Sequence, residues 1–127
     1  MKKKETRPVF LNLVAMQFPL TAISSILHRV SGVLIFCAFL LFLPLMYYSL
    51  ESIESFIWTV QFLDFWFIKL VLWGFLVSLF YHVYSGIRHL LMDKGFFEES
   101  MLSGNRSAQV VFIVTIATAI YFGVLLW

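Results

Sequence analysis

Charge is scarce in this chain. Asp, Glu, Lys and Arg make up 13 % of its 127 residues, about half of the roughly 25 % usual in soluble domains. With 61 % of side chains hydrophobic, that shortage excludes a soluble globular domain and leaves a small integral membrane protein. Cysteine is rarer still. Cys37 stands alone, which rules out an internal disulfide or a thiolate cluster, and within its apolar run it reads as a small core residue. There is no carboxylate pair and no nucleophile beside a matched base, so substrate chemistry by this chain alone is not expected. Nor is a nucleic-acid partner: the net charge is only +2. Lys2-Lys3-Lys4 resembles the start of a signal peptide. The next long apolar run begins beyond Arg29, however, with no small-residue cleavage site at the right distance, so it reads as a retained tail.

What is present is three long apolar stretches. Residues 1–20 carry Lys2, Lys3, Lys4 and Arg7 around a run, Val9 to Phe18, too short to cross a bilayer. They form a surface segment, and residues 21–127 form the membrane unit. Its spans run over about 21–50, 65–92 and 108–127, giving an all-α, three-helix fold. Pro19 and Thr21 mark the first start, with Thr21 as cap, and Pro44 is placed to bend the far end. Glu51, Glu54 and Asp64 lie in the first connection, with Tyr47, Tyr48, Trp58 and Trp66 as an interfacial belt. Lys69 is close enough to the end of span two to snorkel to headgroups. Asp93-Lys94-Gly95 stops that span. The polar link Glu98 to Arg106 follows, and Ser107 caps the third span. Eight of the nine Lys and Arg residues fall on one side, Lys69 being the exception. The N-terminus is therefore cytoplasmic and the C-terminus lies opposite.

One stretch stands out. On a helix, His82, Ser85, Gly86, His89 and Asp93 recur at i, i+3, i+4, i+7 and i+11, a polar or small stripe in an apolar span. Gly86 leaves a flat gap one turn from His82, open to a planar ligand or a neighbouring helix. Ser25, His28, Arg29 and Gly32 make a comparable face on span one. Arg29 stays charged and needs an anion there: a lipid phosphate, Asp93, a haem propionate or a quinone gaining charge. His82 is either a buried imidazole bonded to a neighbouring helix or a haem ligand. His82 and His89 lie about 10 Å apart on one helix, and His28 counts as roughly 10–15 Å shallower than His82. Neither is therefore expected to reach the opposite face of a haem held by His82, and a second ligand would come from another polypeptide.

Two segments also resemble a known family. Arg7-Pro8-Val9, Phe18-Pro19-Leu20-Thr21-Ala22-Ile23 and Ser25-Ile26-Leu27-His28-Arg29-Val30-Ser31 resemble the first signature of cytochrome b subunits of succinate dehydrogenase. His82-x-x-x-Gly86-Ile87-Arg88-His89-Leu90-x-Met92-Asp93 resembles the second. The resemblance implies a bacterial-type inner-membrane anchor, not catalytic by itself, in the complex that oxidises succinate and reduces quinone. It implies His82 as an axial ligand of haem b, shared with a second small anchor subunit. It implies His28 and Arg29 near the propionates, and Ser25 and Arg29 at a site for ubiquinone or menaquinone. An iron–sulfur subunit and a flavoprotein subunit would dock on the cytoplasmic face. The competing readings are a fumarate reductase anchor, running electrons the other way, and a purely structural anchor or transporter component without cofactor. Against transport, the ionisable residues gather at one surface and make no ladder across the spans.

Overall fold

The computed structural model describes residues 18–96 and 100–127. The surface segment expected over residues 1–20 lies, except for its last three residues, outside them, as do Arg7-Pro8-Val9 and Glu98. Four helices follow in order: α1 (Leu20–Ser49), α2 (Ile53–Asp64), α3 (Trp66–Asp93) and α4 (Met101–Leu126). Three of them, α1, α3 and α4, are long and apolar enough to cross a membrane. The 30 residues of α1 reach about 45 Å at 1.5 Å each, and the helix continues through Pro44. α3 runs antiparallel to both of its long neighbours, so α1 begins and α4 ends on opposite sides.

The packing is inverted relative to a water-soluble protein. Among the described residues the buried apolar side chains are Tyr81, Ala108 and Val111. Ser24, Ser31, Ser85 and Arg88 are buried, whereas Leu40, Leu41, Phe36 and Ile113 face outward. In lipid, burial of apolar surface does not drive helices together; small residues that allow close approach and hydrogen bonds between helices do. Tyr81 Oη donates to the Ser24 carbonyl at 2.9 Å, tying α3 to α1. Trp73 Nε1 donates to the Ala119 carbonyl at 2.8 Å, and Tyr84 Oη bonds Thr118 Oγ1 at 3.1 Å, tying α3 to α4. Cys37 is exposed on α1 and so is not the core residue its surroundings suggested. An apolar neighbourhood in sequence does not separate an inward from an outward position when the solvent is lipid.

The ends differ from expectation in three places. The first connection is itself helical. α2 opens on a reciprocal cap in which Ser52 Oγ accepts from Ser55 N, at 3.1 Å, while Ser55 Oγ accepts from Ser52 N, at 2.9 Å. Tyr48 meets Trp58 edge-on at 5.6 Å, and Trp58 stacks on Phe62 at 5.1 Å, so part of the aromatic belt is organised by α2. Thr21 does not cap α1; Pro19 precedes the helix with no side-chain cap, and Thr21 instead lies against α4, where a Cβ at Gly104 would stand 3.0 Å from its methyl. Ser107 does not cap the last span either. α4 starts at Met101 and is capped by Ser100, whose Oγ accepts from Ser103 N at 3.2 Å.

One expected end holds. Gly95 adopts a positive φ of 74°, and Gly95 N and Phe96 N bond back to Met92 O and Leu91 O, closing α3 in a left-handed turn that favours glycine. Lys69, at the other end of α3, meets Asp64 at 2.6 Å.

Candidate functional site

All three histidines of the chain converge where α1 crosses α3. The His28 and His82 rings stack at 4.2 Å with 23° between planes, and His89 lies 5.2 Å from His28. This overturns the expected 10–15 Å difference in depth. His28 stands eight residues, about 12 Å, above the start of α1, and His82 eleven residues, about 16 Å, above the end of α3. The earlier count set His28 at the surface and omitted the turns of α1 beneath it. Stacking replaces depth as the reason His28 is not a partner across an iron: two imidazole faces in contact leave no room between them.

The crossing works by exchange of glycines. A Cβ on Gly86 would stand 3.7 Å from His28 Nε2, and a Cβ on Gly32 would stand 3.1 Å from His82 Cε1. Each helix thus gives a gap to the other's histidine. The neighbouring helix, through His28, is what presses on Gly86.

The hydrogen bonds define the His82 ring. Its Nδ1 lies 3.1 Å from the His28 carbonyl oxygen and 3.0 Å from Ser31 Oγ. A carbonyl can only accept. Ser31 gives its own hydroxyl proton to that same carbonyl, at 2.7 Å, so toward His82 it too accepts. Nδ1 therefore carries the proton, and in the neutral ring the lone pair is on Nε2. That tautomer is the one a metal-ligating imidazole needs, with Nδ1–H held by a backbone carbonyl. Among the described residues Nε2 has no hydrogen-bond partner, and His28 Nε2 and Ser85 Oγ are buried with none. The last two are enclosed by the chain itself, so it is the half-buried His82, with its Nε2 lone pair free, that fits a planar metal cofactor brought against this crossing.

The expected residues divide into inward and flanking ones. Ser85 is fully buried, His82, Gly86 and His89 are half-buried, and Asp93 is exposed at the end of α3. On α1, His28 faces α3, whereas Ser25 is half-buried and Arg29 exposed, the latter about 100° further round the helix. Among the described residues Arg29 makes no ion pair, so Asp93 is not its counter-ion. The sequence reading passed over Ser24, Ser31 and Tyr81, which fix α1 on α3. Ser31 and Gly32 sit at i+3 and i+4 from His28, the spacing already used to group Ser25 with Arg29. Arg88, one of the eight Lys and Arg residues grouped on one side, is only 4 % exposed. Its Nε donates to Ser107 Oγ at 2.9 Å and its Nη2 to the Gly104 carbonyl at 3.2 Å.

Known proteins resemble the chain over nearly its whole length. The succinate dehydrogenase cytochrome b556 subunit of Coxiella burnetii is 43 % identical, covering 95 % of this chain and 97 % of that one. The succinate dehydrogenase cytochrome b560 subunit of Reclinomonas americana is 31 % identical, covering 91 % and 86 % respectively. The cytochrome b560 subunit of Marchantia polymorpha is 33 % identical, covering 76 % and 74 %. Residues 3–122 match a family described as succinate dehydrogenase/fumarate reductase transmembrane subunit. Three bilayer-length helices, a histidine crossing and these relatives agree, and the chain belongs to the family of succinate dehydrogenase/fumarate reductase transmembrane subunits.

Proposed function

We propose that His82 is one axial ligand of haem b, with the second supplied by another small anchor subunit, and that Ser25 and Arg29 hold the quinone. The reading rests on one observation above the others. The His82 Nδ1–H is engaged by the His28 carbonyl and Ser31 Oγ, which orients the ring and leaves Nε2 as donor to iron. Haem b, when bound, supplies a one-electron redox centre. His28, at the crossing, and the exposed Arg29, about 100° round the helix from it, are the chain's groups for the propionates. The second ligand is assigned to another chain because His28 packs face to face on His82, at 4.2 Å, and His89 projects from the same face of α3.

For the quinone, Ser25 donates a hydrogen bond to a ring oxygen, and Arg29 supplies a fixed cation. Electrons add negative charge at the ring oxygens before protons arrive, and a preorganised cation favours that step. Ser25 and Arg29 stand about 8 and 14 Å above the start of α1, so the ring sits below the membrane surface, with its tail in lipid. The side carrying eight of nine Lys and Arg residues is taken as cytoplasmic in a bacterial-type inner membrane. The iron–sulfur and flavoprotein subunits would dock there, next to the quinone.

The test is His82→Leu in the assembled complex. Loss of the low-spin bis-histidine spectrum is expected, with succinate oxidation by an artificial dye retained. An unchanged low-spin spectrum and midpoint potential would overturn the ligand assignment.

A further inference from the structure

On the back of α3, facing away from the histidines, a groove of about 670 Å³ runs between α3 and α4. Its walls change character along their length. Arg88, Arg106, Ser103 and Ser107 line one end beside Leu91 and Leu102, and Val110 and Val114 line the other. From Ser103 to Val114 is eleven residues, about 16 Å of helix, roughly half of a hydrocarbon core of about 30 Å. The polar end is the one where α3 ends and α4 begins, at the membrane surface.

The polar end also carries positive charge in need of an anion. Arg88 is 4 % exposed and spends Nε and Nη2 on a serine hydroxyl and a carbonyl. Both are neutral, so they satisfy donors without balancing the charge. Among the described residues no carboxylate pairs with Arg88 or with the exposed Arg106; the ion pair found among them, Lys69 with Asp64, lies at the far end of α3. A buried cation without a counter-ion is expensive in a low-dielectric surrounding. A neighbouring helix would cover the valines but would not by itself supply the charge.

We infer that the groove binds one anionic phospholipid from the leaflet on the side where α1 begins, with its phosphate at Arg88 and Arg106 and an acyl chain along Val110 and Val114. The occupant is assigned by this polarity gradient: two guanidinium groups and two hydroxyls at headgroup level, then an apolar channel, the whole groove being about as deep as one leaflet. Arginine matches a phosphate in planar, bidentate fashion. The inference depends on the chain spanning a membrane and not on the haem or quinone assignments, because the groove and the histidines lie on opposite faces of α3.

The experiment uses the whole complex, stripped with detergent and returned to nanodiscs of phosphatidylglycerol or phosphatidylcholine, with retained lipid counted by native mass spectrometry. Wild type is expected to keep one phosphatidylglycerol and no phosphatidylcholine. Arg106→Gln removes an exposed charge, and Val110→Trp fills the channel without touching the charges. Both are expected to retain phosphatidylglycerol at least tenfold more weakly while leaving the visible haem spectrum unchanged. Equal retention of the two lipids, or unchanged retention in Val110→Trp, overturns the inference. So does a photo-crosslinker at Val110 that captures another subunit instead of lipid. E98Q/E99Q tests the chain itself as the source of negative charge. Unchanged lipid retention is expected, and destabilisation that added phosphatidylglycerol fails to reverse counts against the proposal.

Discussion

At the scale of single residues, the site depends on what two glycines leave out. A methyl at Gly32 would stand 3.1 Å from His82 Cε1, closer than a ring held by two hydrogen bonds readily tolerates. A methyl at Gly86 would meet His28 Nε2 at 3.7 Å, an ordinary contact. Alanine gains about 0.5–1 kcal/mol over glycine inside a helix, so neither change should harm α1 or α3 as helices. Gly32→Ala is therefore expected to displace the His82 ring and shift the haem spectrum and potential of the complex, and Gly86→Ala to leave both as they are. Equal effects from the two would refute the exchange described for this crossing. The residues proposed for the quinone have their own signature. Loss of a neutral hydrogen bond costs about 0.5–1.5 kcal/mol, and of one to a charged group up to roughly 3. At about 1.4 kcal/mol per tenfold, Ser25→Ala should weaken quinone binding from a few-fold to about a hundredfold. Arg29→Lys keeps the charge and loses the planar fork. Both variants should lose succinate–quinone reductase activity in membranes and keep dye-linked succinate oxidation; wild-type quinone reduction in both rules the site out. His82 was legible in the sequence because an imidazole amid lipid-compatible residues has few roles. Ser31 was not, because a serine in a helix more often bonds its own turn, and only the crossing shows that its oxygen also reaches His82.

At the scale of elements, helix existence followed from hydropathy and length, whereas helix ends followed from contacts that no window of sequence contains. Ser107 illustrates the difference. A serine just before a charge-free run reads as a cap, yet here the helix has already begun at Met101 under Ser100, and Ser107 accepts from Arg88. The helix extends past the polar link because Arg88, reaching across from α3, satisfies polar groups on α4 at Gly104 and Ser107. α2 was missed for a related reason: its polar cap and outward aromatics read as an interfacial loop, and Ser55 and Thr59 become buried only once α2 lies against its neighbours. The two serines are separable by magnitude. Ser100→Ala removes an exposed cap and should cost about 1 kcal/mol. Ser107→Ala removes an acceptor from a buried cation and should cost about 1.5–3 kcal/mol. Tyr81→Phe removes one hydrogen bond between membrane helices, near 0.6 kcal/mol on average. Thermal inactivation of the complex should rank Ser107→Ala as the most damaging of the three. If Ser100→Ala ranks first, Ser107 has been misread.

At the scale of the molecule, the proposed site makes the chain half of an enclosure. Its three long helices bury serines, a tyrosine and an arginine among themselves and turn leucines, phenylalanines and isoleucines outward, as suits lipid. The histidine crossing breaks that pattern, since buried polar atoms at His28 Nε2 and Ser85 Oγ have no partner among the described residues. Those two atoms are enclosed by the chain itself, whereas the half-buried His82 keeps an Nε2 lone pair with no partner among the described residues, so the stable form of this chain should be one in which a cofactor and another polypeptide close over the crossing. The same follows from the ligand count. As the proposed ligand, His82 would offer one nitrogen to iron, and the two other imidazoles are stacked beside it or on its own helix face, so six-coordinate iron would require a donor from elsewhere. Expressed without its partners, the chain is therefore expected to insert but to hold well under one haem per polypeptide and to be lost from membranes faster than in the assembled complex. Co-expression with the second small anchor subunit alone, without the soluble subunits, should restore a low-spin spectrum. The measurement is the reduced-minus-oxidised spectrum of membranes, normalised to the amount of this chain. One haem per chain, low-spin and stable in the absence of any partner, would mean that both ligands come from within it, and the second-subunit assignment would fall together with the stacking argument that supports it.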